Sequence, residues 1–412
     1  MLPLNITRRP DHSTDFIDDL KLQDKLEELA QTIKILVYKE DENIISLLDI
    51  NDDDIFLEPL LFAWFNNATA PNRPSLEQIL FGYISEEQRP NSFTATFDPH
   101  GIAYLPKMGS ICLTGATQIE TAQVRYRGGT AFEVRHGDIP LTHTFVPLQM
   151  VGDFELLPFN HPLFYKYFVP VREDAVVDAS AIDTYNISVL QRDNLERALK
   201  LIEVHCPAFY RLSCMTNRKI VIFNSEPVNS FATKELQGTV FLNANANSSI
   251  AFFLDDLIHQ WSHNMLNAYM FNMDEYFVIN PELKLLSDYS GITADKRNIY
   301  DAFHGIFTVA QRVKCFDVLF RLKDAFSREE RHELIARYCD QSRRYKTGMQ
   351  QVVFSEVYTD AGENLYTALH EGIGHTLENI RHILDRADFS NQVSRFSYPK
   401  FCLLNDYSIT SE

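Results

Sequence analysis

The sequence DDLIHQWSHN, at residues 255–264, carries two histidines, His259 and His263, at a spacing of four residues. On an α-helix this spacing places both imidazoles on one face, one turn apart. Asn-Ser-Ser at 247–249 supplies good N-cap residues, and neither proline nor glycine occurs from 250 to 279, so the stretch predicts a helix. A helix can present two nitrogen ligands to one metal ion in this way. Because the chain has thirteen histidines, chance spacing is the alternative.

The residue that follows the first histidine is Gln260. Zinc peptidases with the HExxH pattern have a glutamate there, and it deprotonates the metal-bound water. An amide cannot accept a proton near neutral pH, so a hydrolase built on this helix would lack its general base. We take Gln260 as the candidate catalytic position, and its amide favours chemistry performed by the metal itself, such as oxygen activation at iron.

A third ligand is needed to complete such a site. His304 lies in a second apolar stretch, about forty residues after the histidine pair. Asp255 and Asp256 lie one helical turn before His259 and are the alternatives, because most non-haem iron oxygenases use two histidines and one carboxylate.

Composition excludes several classes of protein. The formal net charge of −18 over 412 residues argues against a general nucleic-acid binder, since no excess of Lys and Arg is available to neutralise phosphates. No apolar run approaches the ~18 residues that span a bilayer, and the first 19 residues have no apolar signal-peptide core. The six cysteines form no C-x-x-C pair. We therefore expect a cytoplasmic chain with reduced thiols and no membrane segment.

Patterning predicts an α+β fold in three parts. Residues 1–91 form a helical N-terminal region, residues 92–177 are strand-rich, and residues 178–412 form a mainly helical, metal-binding catalytic region. The strand-rich part shows alternating apolar residues and a Gly-Gly turn at 128–129.

Within the C-terminal region, the sequence predicts buried strands at 219–223 and 239–242, just before the metal helix. It predicts a helix at 192–205 that Pro207 ends, a second long helix at 294–326, and helix at 357–387 broken at Gly362, Gly372 and Gly374.

Several sequence blocks, in order and within residues 180–325, resemble one known family. It is the HExxH-motif proteins of ribosomal peptide natural-product pathways, which are iron(II)- and 2-oxoglutarate-dependent peptide β-hydroxylases. The blocks are LERALKLI at 195–202 with Pro207, NSFA at 229–232 with QGTVFL at 237–242, LIHQWSH at 257–263, and Arg297 seven residues before the His304-Gly305 pair. The chain departs from the family at Gln260, where the family has glutamate.

The resemblance implies Fe(II) and 2-oxoglutarate as cofactors and a ribosomally made precursor peptide as substrate, hydroxylated at a side-chain carbon, with Cβ favoured. His259, His263 and His304 would then bind the iron. The distal carboxylate of 2-oxoglutarate needs a cation that can donate two parallel hydrogen bonds to it, as a guanidinium does. Arg297 is the first candidate and Arg312 the second.

Two rival functions stay open on the sequence alone. One is a zinc-dependent hydrolase of the zincin type, against which Gln260 argues. The other is a non-catalytic peptide-binding protein with a degenerate site. The sequence also leaves open the oligomeric state, a homo-oligomer included, and the identity of the modified peptide.

Overall fold

The computed structural model describes residues 16–70, 72–115, 119–172, 174–290, 295–349, 355–392 and 395–410. Within these ranges the chain is an α+β protein, as the sequence predicts. The sequence predicts no signal peptide in the first 19 residues. Residues 1–15 lie outside the described ranges, so the structure does not test this prediction.

Two compact units are distinguished. The sheet unit consists of residues 20–201 and 213–271, and the helical unit of residues 1–19, 202–212 and 272–412. The predicted boundaries after residues 91 and 177 therefore mark changes in secondary structure and do not delimit these units.

The sheet unit begins with helices. They are α1 (Asp19–Glu40), α2 (Glu42–Ile45), α3 (Asp53–Phe56), α4 (Pro59–Asn66) and α5 (Leu76–Leu80). The side chains of the residues before α2, α3, α4 and α5 each accept a backbone hydrogen bond in the first turn, which satisfies N–H groups that have no partner in the helix.

Nine strands follow these helices. They are β1 (Ser92–Thr96), β2 (Ile102–Leu105), β3 (Gly109–Leu113), β4 (Thr121–Tyr126), β5 (Phe132–His136), β6 (Ile139–Leu141), β7 (His143–Pro147), β8 (Met150–Val151) and β9 (Phe154–Leu156). One antiparallel sheet has the order β1-β4-β5-β6, and another has the order β2-β3-β7. Along β4 exposed and buried residues alternate, and the buried ones join the core of Phe81, Phe93 and Ile111. Gly128 and Gly129 turn the chain between β4 and β5 with positive φ, which confirms the predicted turn.

The third sheet leads into the helix of interest. After α6 (Tyr185–His205) and α7 (Pro207–Thr216) come β10 (Lys219–Phe223), β11 (Thr239–Asn243) and then α8 (Ile250–Tyr269). The sheet order is β11-β10-β9-β8, and β10 runs parallel to both β11 and β9. Both predicted strands are confirmed. Pro207 ends α6 as predicted, but it also starts α7, because proline suits the first position of a helix.

The helical unit contains α9 (Ser287–Ser290), α10 (Ile299–Leu319), α11 (Arg328–Met349), α12 (Asp360–Leu384) and α13 (Tyr398–Cys402). Helix α10 begins at Ile299, later than the predicted 294, because Asn298 caps it by accepting a hydrogen bond from the Asp301 amide. Residues 320–326 include a short 3-10 turn and do not continue α10.

Helix α12 is continuous, so the predicted breaks at glycines are wrong. Gly372 is needed for space, because a Cβ there would lie 2.6 Å from the Phe16 ring. Gly362 lies in the first turn, where a Cβ would lie 2.0 Å from the Tyr276 carbonyl oxygen. The intrinsic cost of glycine in a helix is therefore outweighed by close packing. None of the described helices combines the length and the apolar character needed to cross a lipid bilayer.

Candidate metal centre

Helix α8 is held on its buried sides by stacking and hydrogen bonds within the sheet unit. Trp261 is fully buried and stacks on Phe154, with ring centroids 4.7 Å apart. The Asn264 side-chain amide donates to Asn217 Oδ1 and to the Thr239 carbonyl oxygen, at 2.7 and 3.1 Å. The Gln237 amide donates to the Asn264 carbonyl oxygen at 2.8 Å. These contacts fix the rotation of α8 about its axis, and therefore the direction of its histidine face.

His259 and His263 lie on a partly exposed stripe of this otherwise buried helix. Their Nε2 atoms are 3.0 Å apart, and their ring centroids are separated by 4.8 Å. The predicted pairing of the two imidazoles on one face is therefore present, and both rings direct the nitrogen that commonly ligates metals to the same point.

The separation of 3.0 Å has two chemical interpretations. Two nitrogens at ~2.1 Å from one ion and ~90° apart lie about 3.0 Å from each other, and a tetrahedral angle separates them by about 3.4 Å. The distance therefore matches adjacent ligands of an octahedral ion, as in non-haem iron sites. The same distance also suits an N–H···N hydrogen bond between one protonated and one unprotonated nitrogen.

Gln260 is 1% exposed and directs its amide nitrogen toward His259. This nitrogen lies 3.3 Å from His259 Nδ1 and donates to Asp256 Oδ1, also at 3.3 Å. An amide N–H can only donate, so in this orientation of the Gln260 amide the contact suits the His259 tautomer that carries its proton on Nε2. A carboxylate at position 260 would do the reverse, holding the proton on Nδ1 and leaving Nε2 free to bind a metal.

The alternative carboxylate ligands also lie on α8. Asp255, His259 and His263 recur every four residues along one helical stripe, and Asp255 is 7% exposed. Among the residues that the structure describes, no group of three or more His, Cys, Asp or Glu side chains is gathered as a metal site. What the structure brings together is the pair His259 and His263, with Gln260 in contact.

His304 and Arg312 lie on α10 in the helical unit, and the third-ligand assignment of His304 remains a prediction. Both side chains are buried, at 9% and 8% exposure. With Thr308 between them, they form a polar stripe with a period of four residues on a mostly apolar helix. Arg312 Nε donates to the Thr308 carbonyl oxygen at 3.3 Å, and the Tyr300 ring centroid lies 5.1 Å from that of His304.

Arg297 precedes α10, which begins at Ile299, although the predicted helix at 294–326 would have included it. Its guanidinium forms a two-pronged pair with Asp295, with Nε and Nη2 donating at 3.0 and 2.6 Å. Hydrogen bonding to this guanidinium lowers the pKa of Asp295, and the carboxylate in turn raises the pKa of Arg297. Arg297 already holds a carboxylate of the chain in the geometry expected for the cofactor.

A scan against protein-family models and a search of curated proteins found no match for this chain. The family resemblance therefore depends only on the sequence blocks within residues 180–325.

A second group of polar side chains was missed by the sequence analysis. Four side chains meet in the interior of the sheet unit, and none is more than 7% exposed. They are Lys219, Glu58, Glu155 and Tyr104. Their positions are scattered over about 160 residues, so no local spacing could have indicated the cluster.

Proposed function

We propose that this chain is an iron(II)- and 2-oxoglutarate-dependent oxygenase that hydroxylates a side-chain carbon, with Cβ favoured, of a ribosomally made precursor peptide. The observation that carries the proposal is the 3.0 Å approach of the two Nε2 atoms on a firmly anchored helix. The separation suits adjacent positions on an octahedral ion better than the wider tetrahedral angle of a structural zinc site.

In this proposal His259 and His263 supply two ligands, and the third comes from His304, with Asp255 and Asp256 as the alternatives. When bound, iron together with 2-oxoglutarate and dioxygen would supply the oxidant for an unactivated C–H bond. Gln260 cannot act as a base. Iron bound at His259 Nε2 would leave the ring proton on Nδ1, where Gln260 would accept its hydrogen bond through Oε1 after rotation of the amide. Nothing in this chemistry requires the glutamate that a hydrolase needs.

For the 2-oxoglutarate carboxylate we now rank Arg312 above Arg297. The Arg297 side chain is 46% exposed, so a carboxylate bound there would compete with water. Arg312 is buried, and a charge-assisted pair is stronger where water is excluded. If Arg312 holds the cofactor, Arg312→Lys should weaken 2-oxoglutarate binding far more than Arg297→Lys.

The test is an anaerobic titration with Fe(II) and 2-oxoglutarate, monitored by the visible charge-transfer band of the iron chelate. Wild type should develop the band, and His259→Ala and His263→Ala should abolish it. His136→Ala, an exposed histidine on β5, is the matched control and should behave as wild type. His304→Ala and Asp255→Asn then decide the third ligand.

Other outcomes of this titration would change the proposed function. Stable zinc binding without a chelate band would favour a hydrolase, and the absence of both metals would indicate a peptide-binding protein with a degenerate site. A band that survives in both α8 variants would refute the placement of the metal.

A further inference from the structure

A cavity of about 130 Å³ lies within the sheet unit, away from helix α8 in sequence. Strands β2, β3 and β9 and the segment 146–149 line it, mostly with apolar side chains such as Ile102, Leu156 and Phe159. Its size is comparable with a cavity of about 150 Å³ that holds one benzene molecule. A ligand of about six non-hydrogen atoms would therefore fill it.

One charged side chain, Glu155, interrupts this apolar wall. Glu155 is 7% exposed, and its Oε2 atom accepts hydrogen bonds from Tyr104 at 2.7 Å and from Lys219 Nζ at 2.8 Å. Its other oxygen, Oε1, accepts no hydrogen bond from a residue in the described ranges, and it is not among the buried polar atoms that are closed to water. Oε1 is therefore available to accept a hydrogen bond from water or from a ligand in the cavity.

The neighbours of Glu155 cannot supply that donor. The Lys219 ammonium is shared between Glu155, Glu58 at 3.2 Å and the Tyr104 oxygen at 2.9 Å, which uses its three protons. Glu58 is satisfied at both oxygens, by the Leu60 amide at 3.1 Å and by Tyr83 at 2.7 Å together with Lys219. Two carboxylates therefore share one ammonium, and Glu155 is the carboxylate of the two that also lines the cavity.

We propose that this cavity binds a primary ammonium group carried on a compact apolar body, with Glu155 Oε1 accepting a hydrogen bond from the ammonium. The ammonium would balance the second buried carboxylate, and the apolar wall would enclose the hydrocarbon part. The ligand is either a free aliphatic amine or the N-terminal residue of a peptide, since both present the same ammonium chemistry. This site is independent of the histidine pair and of the proposed oxygenase activity.

Cys112 lines the cavity and provides a reporter, because a bound ligand would shield its thiol from alkylation. The probe is 3-methylbutylamine, and 3-methylbutanol and 3-methylbutanoate are the neutral and anionic controls. With N-ethylmaleimide and mass spectrometry, the exposed Cys402 serves as the internal reference for reagent reactivity. At ten times its Kd, the amine should slow modification of Cys112 about tenfold and leave Cys402 unchanged.

The alcohol should bind about tenfold more weakly than the amine, and the carboxylate should not protect, because only the ammonium gains a charge-assisted bond to Glu155. Glu155→Gln keeps an acceptor for Tyr104 and Lys219 and should abolish the preference for amine over alcohol. Ile102→Phe fills the cavity without touching the cluster and should abolish protection by every probe. Comparison of Leu-Gly-Gly with its N-acetyl form separates a peptide ligand from a free amine.

Equal protection by amine and alcohol in wild type would overturn the proposal, because the cavity would then select only for apolar volume. Failure of all probes, including the peptide, would reduce the cluster to a structural role. If Glu155→Gln does not fold, the wild-type comparison of amine, alcohol and carboxylate still decides the matter.

Discussion

The histidine pair of α8 and the buried cluster around Lys219 satisfy polar groups in opposite ways. His259 and His263 are neighbours on one helix, partly exposed, and contact each other and Gln260 through local geometry. Lys219 and Glu58 are at most 3% exposed, and their partners come from distant parts of the chain. The pair is arranged by helical periodicity, whereas the cluster is part of what defines the tertiary fold.

The largest effect should come from breaking the cluster. Lys219→Met leaves Glu58 and Glu155 facing each other in the interior, which should reduce the free energy of unfolding by about 3–5 kcal/mol. Burial acts to lower the pKa of Lys219, but attraction by Glu155 and Glu58 outweighs it, and the pKa lies above its usual value. Urea unfolding followed by tryptophan fluorescence provides the measurement.

The matched control for Lys219→Met is Arg192→Met, which removes an ion pair with Glu196 whose side chains are 37% and 47% exposed. That change should cost at most about 1 kcal/mol, because water screens and replaces a surface pair. Equal losses in the two variants would show that the Lys219 cluster is not sealed from water, and the contrast with the histidine pair would disappear.

The different origins of the two sites explain what the sequence could predict. The α+β class, both parallel strands before α8 and the histidine face follow from periods of two and four residues, which are local properties. The cluster could not be predicted, since Lys219 occurs at the start of the apolar strand KIVIF and nothing local reveals its carboxylate partners. The continuity of α12 was missed for a similar reason, because Gly372 is dictated by the Phe16 ring, which is far away in sequence.

A second, smaller effect concerns the proton on the helix pair. Gln260→Glu would place an acceptor beside His259 Nδ1, so that Nε2 is left unprotonated and more basic toward a metal. We expect Fe(II) or the surrogate Co(II) to bind about 10–100-fold more tightly, as judged by visible absorption titration. His263→Ala added to Gln260→Glu should remove the gain.

An unchanged affinity in Gln260→Glu would mean that the amide does not control the tautomer of His259. A gain that persists without His263 would mean that the new carboxylate is itself a ligand. The metal would then not be held by the two histidines on which the proposed function depends.

A third effect compares a histidine of the interior with the pair on α8. His161 is 5% exposed, and burial, reinforced by the charge of Lys219, lowers its pKa to about 3. Its Nδ1 accepts a hydrogen bond from the Leu163 amide at 3.2 Å, which requires the neutral ring. Between pH 6.5 and about 3 the unfolded chain binds a proton at His161 that the folded chain does not, so stability falls as the pH is lowered, by about 1.4 kcal/mol per pH unit.

His161→Asn keeps a side-chain acceptor for the Leu163 amide and has no proton to gain, so it should flatten this dependence. Urea unfolding at pH 6.5, 5.5 and 4.5 stays above most of the carboxylate titration and compares wild type with His161→Asn and the exposed control His136→Asn. Identical slopes in wild type and His161→Asn would mean that the interior of the sheet unit accommodates a charged imidazole. The interior around Lys219 would then tolerate an added positive charge, and the contrast with the partly exposed histidine pair would be lost.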